Sequence, residues 1–162
     1  MLVWLRKEVQ TLSRADQVVA AERAVSTVPK PELHVTAGVL RDSLGRVLIA
    51  RRPSGTHLAG CWEFPGGKLR PGETACAALR RELREELGIE VIAARPFVRY
   101  CHEYPDRVVS LDVWLITEFS GEPSGMEGQP LRWESVERLM DAGLLAADRP
   151  IVDALLDGRL IP

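Results

Sequence analysis

The sequence lacks a cysteine framework. Its three cysteines, Cys61, Cys76 and Cys101, are an odd number and are not spaced like metal ligands. A disulfide scaffold needs paired cysteines, and a zinc site needs closely spaced Cys or His ligands. We therefore expect free thiols, a reducing compartment and a cytoplasmic location.

The chain also lacks an excess of positive charge and any long apolar run. Its 21 Lys and Arg against 23 Asp and Glu leave a net charge of −2, so we expect no direct binding of duplex nucleic acid. A highly charged substrate would have to be met by local basic side chains and a metal. No apolar run is long enough to span a membrane. Arg6, Lys7 and Glu8 interrupt the apolar start, so no signal-peptide core is expected.

The length of the chain and its apolar pattern fit one domain preceded by an N-terminal extension. A length of 162 residues is typical of a single folded domain. We predict an extension over residues 1–30, helical by its imperfect apolar pattern, and a domain over residues 31–162. The extension could pack on the domain, mediate self-association or be poorly ordered. We expect a monomer or a homodimer.

The domain is predicted to mix strands and helices. Residues 33–39 alternate as in a half-buried strand, 42–45 form a turn, and 46–51 return as the hairpin partner. Further strands are predicted at 62–64, 89–94, 97–103, 108–119 and 131–133, with a turn at 65–67 and a loop at 120–130. Helices are predicted over 74–87, after Ser135 as N-cap, and from Asp148 as N-cap to Gly158. This order predicts an α/β fold, an α/β/α sandwich around a mixed central sheet.

A glycine-rich loop leads into a helix with an acidic face. Glu82, Glu85 and Glu86 stand at i, i+3 and i+4, in the half of the helix where its dipole disfavours anions. Neither Glu82 nor Glu86 has a basic residue three or four positions away, so we expect both to be unpaired. Such a cluster needs an external cation, and oxygen ligands suit Mg²⁺ or Mn²⁺. A solvated charged helix, with Arg81 pairing with Glu85, is the alternative.

The same stretch resembles the signature box of the Nudix hydrolase family. Gly67, Glu73 and the run 81–89 stand at the family's spacing. The resemblance extends over residues 34–158. Within the family, this region is similar to the MutT type, which acts on 8-oxo-dGTP. The matching runs are 48–52, 57, 62–68, 104–107, 121–123 and 127–130. The resemblance implies the Nudix α/β/α fold and a metal-dependent hydrolase.

The resemblance also assigns roles within and next to the box. It implies a divalent metal, usually Mg²⁺, bound by the Gly66 carbonyl and the carboxylates of Glu82, Glu85, Glu86 and Glu127. Lys68 would balance charge on the phosphates, and Arg81 would hold the loop against the helix through Glu73. The general base is either Glu82 or Glu127, and this choice stays open. Without the resemblance, Glu127 reads as a solvated loop acid and Lys68 as an exposed lysine.

Outside the acidic helix the resemblance implies a nucleotide pocket. Its residues are Arg52, His57, Phe64, Gly67, Arg107 and Asp148. The Phe64 ring could face a base and the two arginines could neutralise phosphate. The alternative places Phe64 in the core and both arginines on the surface.

Asp148 departs from the MutT type, which has an amide side chain at this position. An ionised aspartate only accepts hydrogen bonds, whereas a protonated one also donates. An ionised aspartate would suit the amino group of cytosine, and Asp148 could also simply cap the last helix.

These observations predict a Mg²⁺-dependent pyrophosphohydrolase that cleaves a nucleoside triphosphate to the monophosphate and pyrophosphate by water attack at phosphorus. The leading substrate is 8-oxo-dGTP, which would make the protein an acid anhydride hydrolase of nucleotide-pool sanitation and DNA repair. CTP, dCTP or a broad nucleotide range is the alternative. A non-catalytic binding or regulatory module of Nudix type is the alternative of another class, but every acid of the box is present.

Overall fold

The computed structural model describes residues 29–158. The chain divides after Lys30, and the unit that begins at Pro31 contains every strand and helix given below. The helical extension predicted over residues 1–30 lies outside the described residues except for its last two. Across residues 29–158, no helix is long and apolar enough to cross a membrane.

Strands dominate the described unit. The strands are β1 (Glu32–Val39), β2 (Val47–Arg51), β3 (Trp62–Glu63), β4 (Gly66–Lys68), β5 (Glu90–Glu103), β6 (Val108–Ser120) and β7 (Leu131–Glu134). The helices are α1 (Ala75–Leu87) and α2 (Arg149–Leu156), with 3₁₀ turns at Val136–Asp141 and Ala146–Asp148.

The strands form a mixed sheet in the order β4-β1-β6-β5 and a smaller antiparallel sheet in the order β3-β2-β7. In the larger sheet β1 runs parallel to β6 and antiparallel to β4. Alternate residues of β6 enter two different cores: Val113 packs with Ile151 of α2, and Ile116 packs with Leu83 of α1. Because neighbouring side chains of a strand point to opposite faces, the two helices cover opposite faces of the sheet. The predicted α/β/α sandwich is confirmed.

The predicted hairpin between residues 33–39 and 46–51 forms only beside its turn, where the Asp42 N–H donates to the Arg46 carbonyl at 3.0 Å and the Leu48 N–H to the Leu40 carbonyl at 3.2 Å. Strand β2 pairs with β7 and β3 in the smaller sheet, and a single bridge from Arg41 to Val47 connects it to the end of β1. Both edges of β1 are taken by distant segments, β6 on one side and β4 on the other. The turn at residues 42–45 forms as predicted, but contacts far apart in sequence keep β2 from pairing along β1.

Three smaller expectations also differ from the structure. Residues 89–94 and 97–103 belong to one strand, β5, whose register shifts around Pro96 absorb the missing N–H of that proline. Gly66 and Gly67 lie in strand β4 rather than in a turn. Ser135 precedes a 3₁₀ turn and makes no side-chain cap bond.

Helix α1 has the predicted ends. The Thr74 hydroxyl accepts a hydrogen bond from the Ala77 N–H at 3.2 Å, which caps the first turn. At the other end Gly88 has φ 68°, the left-handed conformation that glycine adopts without strain. Leu79, Leu83 and Leu87 are fully buried beneath the helix, so its acidic residues are directed away from this core.

Candidate active site

Two glycines bring the backbone of β4 against the acids of α1. The Gly66 N–H donates a hydrogen bond to Glu86 Oε2 at 3.2 Å. A Cβ added to Gly67 would lie 2.5 Å from Glu82 Oε2, closer than any side chain could be. A Cβ at Gly66 would instead overlap the Thr36 carbonyl of β1. Glycine at 66 is therefore required by the neighbouring backbone, and glycine at 67 leaves the space that the Glu82 carboxylate occupies.

Arg81 connects the loop to the acidic face of the helix. Its guanidinium donates two hydrogen bonds of 2.8 Å to the Glu73 carboxylate and one of 3.1 Å to the Lys68 carbonyl. Hydrogen bonding from Arg81 lowers the pKa of Glu73 to about 2. This is the architectural role that the resemblance implied for Arg81 and Glu73.

The expectation that Glu82 is unpaired is wrong. Arg81 Nη1 lies 2.6 Å from Glu82 Oε1, although neighbouring residues do not share a helix face. The long Arg81 side chain runs back toward Glu73, and its guanidinium is wide enough to contact Glu82 at the same time. The same nitrogen lies 3.3 Å from Glu85, as the alternative interpretation anticipated.

Glu86 is the acid of the cluster without an arginine partner in the described chain. Burial, together with the charges of Glu82, Glu63 and Glu127, raises the pKa of Glu86 to about 8, although the hydrogen bond from the Gly66 N–H opposes the shift. A half-buried carboxyl surrounded by other carboxylates is stabilised by a cation. The donor chemistry therefore fits a hard divalent metal.

The carboxylates do not already converge on one point. Among the described residues, no group of three His, Cys, Asp or Glu is close enough to hold a metal ion. Arg81 holds Glu82, and Arg70 and Arg81 hold Glu85, each at 3.3 Å. A metal at this face would have to compete with both arginines.

The loop after β6 returns to the C-terminal end of α1. The N–H groups of Ser124 and Met126 donate to the carbonyls of Leu87 and Glu86, each at 3.0 Å. Glu127 is exposed, yet its charge contributes to the raised pKa of Glu86. The structure thus brings Glu127 toward the acidic helix, across a sequence distance that no local pattern indicates.

A cavity of about 460 Å³ extends from Glu86 and the glycine strand to the start of α2. Its polar lining includes Arg52, His57, Lys68, Glu86, Arg107 and Asp148. The predicted nucleotide residues therefore surround one cavity, although they come from distant segments. Glu86 is the acidic-helix residue that lines it, and the volume is in the range of small-molecule sites.

Asp148 also lines this cavity and is 5% exposed. Its Oδ2 accepts a hydrogen bond from the Phe64 N–H at 3.0 Å, and burial raises the pKa of Asp148 to about 7. The prediction that its side chain caps the last helix is wrong, since it makes no cap hydrogen bond. The carboxylate binds the Phe64 N–H and lines the cavity instead.

Arg52 and Glu63 form a salt bridge in the wall of the cavity. Arg52 Nη1 lies 2.6 Å from Glu63 Oε2, and Arg52 Nε donates to the His57 carbonyl at 2.8 Å. Burial raises the pKa of Glu63 although Arg52 opposes the shift. The guanidinium is therefore fixed in orientation before any ligand arrives.

Other predicted pocket residues contribute in different ways. Phe64 is 4% exposed and packs in the core, so its ring forms a wall rather than an open stacking surface. Arg107 pairs with the neighbouring Asp106 at 2.9 Å, and Lys68 is exposed at the cavity.

Three residues near the site had no predicted role: Glu63, Tyr104 and Gln129. Each stands inside a run that matches the family, but no spacing rule distinguishes them from their neighbours. Tyr104 lines the cavity, with its ring centroid 6.3 Å from that of His57 and 4.6 Å from that of His102. Gln129 is buried in the loop that carries Glu127.

Comparison with known proteins matches this arrangement to one family. A family model described as NUDIX domain matches residues 36–154. The chain is 40% identical over 132 residues to an 8-oxo-dGTP diphosphatase of Haemophilus influenzae, covering 82% of this chain and 93% of that protein. It is 39% identical over 122 residues to a CTP pyrophosphohydrolase of Escherichia coli, covering 75% and 89%. A solved MutT structure, from work on Aliivibrio salmonicida and Vibrio cholerae, has a TM-score of 0.68 and 34% identity, covering 78% and 98%.

Proposed function

Because the chain belongs to the Nudix hydrolase family, we propose that it is a Mg²⁺-dependent enzyme that cleaves a nucleoside triphosphate to the monophosphate and pyrophosphate. The family and the enzyme class confirm the predictions made from the box. One observation carries the proposed reaction. One cavity is lined both by Asp148 and by Glu86 of the acidic helix. A nucleotide bound there would place its base near Asp148 and its phosphates near the acids.

Glu82, Glu85 and Glu86 would hold the metal, with the Gly66 carbonyl as a further ligand and Glu127 approaching from the loop. A bound divalent metal would neutralise negative charge on the diphosphate and lower the pKa of the water bound to it. Nudix hydrolases depend on a divalent metal, and Mg²⁺ is our proposal because the donors are carboxylate and carbonyl oxygens. Lys68 would bind phosphate oxygens from the glycine strand.

We assign the general base to Glu127 rather than to Glu82. Arg81 Nη1 lies 2.6 Å from Glu82 Oε1, so an arginine already occupies one oxygen of the Glu82 carboxylate. Glu127 is exposed and makes no salt bridge within residues 29–158. It can therefore accept the proton of the attacking water and release it to solvent.

Asp148 supports an oxidised guanine nucleotide as the leading substrate, with CTP or dCTP as the second candidate. Its Oδ2 is used by the Phe64 N–H, which leaves Oδ1 for a ligand. With a pKa of about 7, the carboxyl is partly protonated at neutral pH and can both donate and accept, as an amide does. The ionised form accepts only and suits the amino group of cytosine. The 8-oxo-dGTP diphosphatase and the CTP pyrophosphohydrolase are 40% and 39% identical to this chain, so overall similarity does not select the substrate. We therefore base the choice of substrate on Asp148.

We place the enzyme in the cytoplasm, as a monomer or homodimer without a nucleic-acid or membrane partner. The three cysteines support a reducing compartment, because none of them forms a disulfide.

Steady-state kinetics with 8-oxo-dGTP, dGTP, dCTP and CTP at saturating MgCl₂, followed by pyrophosphate release, tests the proposal. We expect kcat/KM to be highest for 8-oxo-dGTP, and Glu82→Gln and Glu85→Gln to reduce kcat by about 10² or more. Glu118→Gln, an exposed carboxylate on β6, is the matched control and should retain wild-type activity.

Two results would overturn separate parts of the proposal. A kcat/KM for CTP or dCTP about tenfold above that for 8-oxo-dGTP, equivalent to about 1.4 kcal/mol, would replace the leading substrate. Hydrolysis of none of the four nucleotides would contradict the reaction itself.

A further inference from the structure

One buried side chain joins the loop that carries Glu127 to the acidic helix. Gln129 is 9% exposed, and both ends of its amide are used. Its Oε1 accepts a hydrogen bond from the Glu127 N–H at 2.9 Å, and its Nε2 donates to the Glu86 carbonyl at 2.9 Å. The same side chain therefore contacts the backbone of both acids.

The surrounding loop leaves Gln129 little freedom. The Glu86 carbonyl also accepts from the Met126 N–H at 3.0 Å, and the Gly128 N–H donates to the Gly125 carbonyl at 2.9 Å. A Cβ added to Gly125 would overlap the Gln129 carbonyl, so the loop is closed tightly on itself. The position of the Glu127 backbone relative to α1 is thus set through a small number of hydrogen bonds.

Glu127 and Glu86 both carry a carboxylate, and the hydrogen bonds of this loop bring their backbones together at the end of α1. Two carboxylates repel each other, and an exposed loop would relieve this repulsion by moving away from the helix. The Gln129 amide opposes that movement. A glutamine is suited to this task because it offers one acceptor and one donor and carries no charge.

We propose that Gln129 is a positioning residue that holds the Glu127 carboxylate toward the acidic face of α1 during hydrolysis. This inference rests on the proposed function, in which Glu127 is the general base. Gln129 contacts neither the substrate nor the metal in this scheme, and it affects the reaction only through Glu127. Displacement of a reacting group by about 1 Å can cost about 10² in rate.

A double-mutant cycle tests the inference with Gln129→Met, Glu127→Gln and the combination. Methionine fills a similar volume without either hydrogen bond. We expect Gln129→Met to lower kcat by about tenfold to 10², with KM within about twofold, because substrate binding does not involve this side chain. In the Glu127→Gln background the same change should leave kcat unaltered, since Gln129 acts through a carboxylate that is then absent.

Two controls separate positioning from folding. Ser124→Ala, in the same loop, removes a side chain that makes no hydrogen bond in the described chain, and it should behave as wild type. Gln129→Asn keeps the neutral amide but is one methylene shorter, so it can make only one of the two hydrogen bonds at a time and should retain part of the activity if Gln129→Met folds poorly. Thermal unfolding of each variant reports stability independently of kcat.

The possible outcomes are distinct. If Gln129→Met reduces kcat by the same factor in both backgrounds, or not at all, Gln129 does not act through Glu127 and the inference is overturned. If Glu127→Gln alone retains wild-type kcat, the assignment of Glu127 as base fails, and the inference fails with it. Loss of activity on Glu127→Gln together with an unaffected Gln129→Met overturns only the role of Gln129.

Discussion

The Asp148 carboxylate accepts a hydrogen bond from the Phe64 N–H at 3.0 Å, between residues 84 positions apart in the chain. This bond joins the start of α2 to the segment that leads into the glycine strand. The same contact fixes the orientation of a carboxylate that lines the cavity. Burial raises the pKa of this carboxyl to about 7, although the hydrogen bond from the Phe64 N–H opposes the shift. The protonation of Asp148 therefore links protein stability to the proposed base recognition.

Asp148→Asn is expected to flatten the dependence of stability on pH. The unfolded carboxyl titrates near 3.8, and the folded one near 7, so the folded chain binds the extra proton between these values. The free energy of unfolding contributed by this group therefore falls as pH rises through that window, by at most about 1.4 kcal/mol per pH unit. Thermal unfolding of the metal-free protein from pH 5 to 8 should show a steeper fall for wild type than for Asp148→Asn.

Asp153→Asn is the matched control, because Asp153 lies exposed on the same helix. It should retain the wild-type pH dependence. Parallel curves for wild type and Asp148→Asn would contradict the raised pKa of the Asp148 carboxyl.

Metal binding is expected to release a proton at moderately acidic pH. Burial and nearby acids raise the pKa of Glu86 to about 8, whereas a metal ligand must be ionised. Mg²⁺ should therefore bind more tightly as pH rises toward 8. Calorimetric titration with MgCl₂ at pH 6.5, in two buffers of different ionisation enthalpy, should show release of about one proton per metal bound.

The matched variant for this measurement is Glu86→Gln, which should bind Mg²⁺ weakly and without proton release from this position. Equal heats in both buffers at pH 6.5 for the wild type would show that Glu86 is already ionised before metal binding.

Gly67→Ala is expected to reduce activity far more than stability. The added methyl group would lie 2.5 Å from Glu82 Oε2, so the flexible end of Glu82 would have to move away. We expect kcat to fall by about 10² while the midpoint of thermal unfolding changes little. Gly72→Ala is the comparison, since φ is 78° there and nothing lies within 4 Å of the added Cβ. It should lower stability by about 1 kcal/mol and leave kcat near wild type. The reverse pattern would contradict this account of the glycine strand.

Glu63→Gln is expected to weaken substrate binding through Arg52. The variant keeps a hydrogen-bond acceptor 2.6 Å from the guanidinium but removes the charge that orients it. We expect KM for the preferred nucleotide to rise by about three- to tenfold, with kcat within about twofold. Asp112→Asn, which breaks the 3.2 Å pair with Arg99 outside this cavity, should leave both constants unchanged. An unchanged KM in Glu63→Gln would show that the salt bridge does not prepare Arg52 for substrate.

Local sequence determined helix α1 and the clustering of its acidic residues. Thr74 and Gly88 set its ends, and the spacing of Glu82, Glu85 and Glu86 placed the acids on one face, because both features depend only on residues within a few positions. The same spacing was sufficient to indicate the family, which the comparisons confirm.

Tertiary structure decided which of several local possibilities each segment adopts. The turn at residues 42–45 favoured a hairpin, but β1 and β2 joined different sheets because β6 and β4 occupy both edges of β1. Arg81 reached Glu82 because Glu73 draws its side chain along the helix.

The candidate site shows the same division between what local sequence determines and what tertiary structure determines. Asp148 could equally have capped α2, and only the position of the Phe64 N–H directed its carboxylate into the cavity. Gln129 had no predicted role until folding brought its loop to the end of α1. Helix caps and the spacing of acids depend on residues that are neighbours in sequence. Strand partners, cavity walls and the pKa values of buried groups depend on residues that only the folded chain brings together.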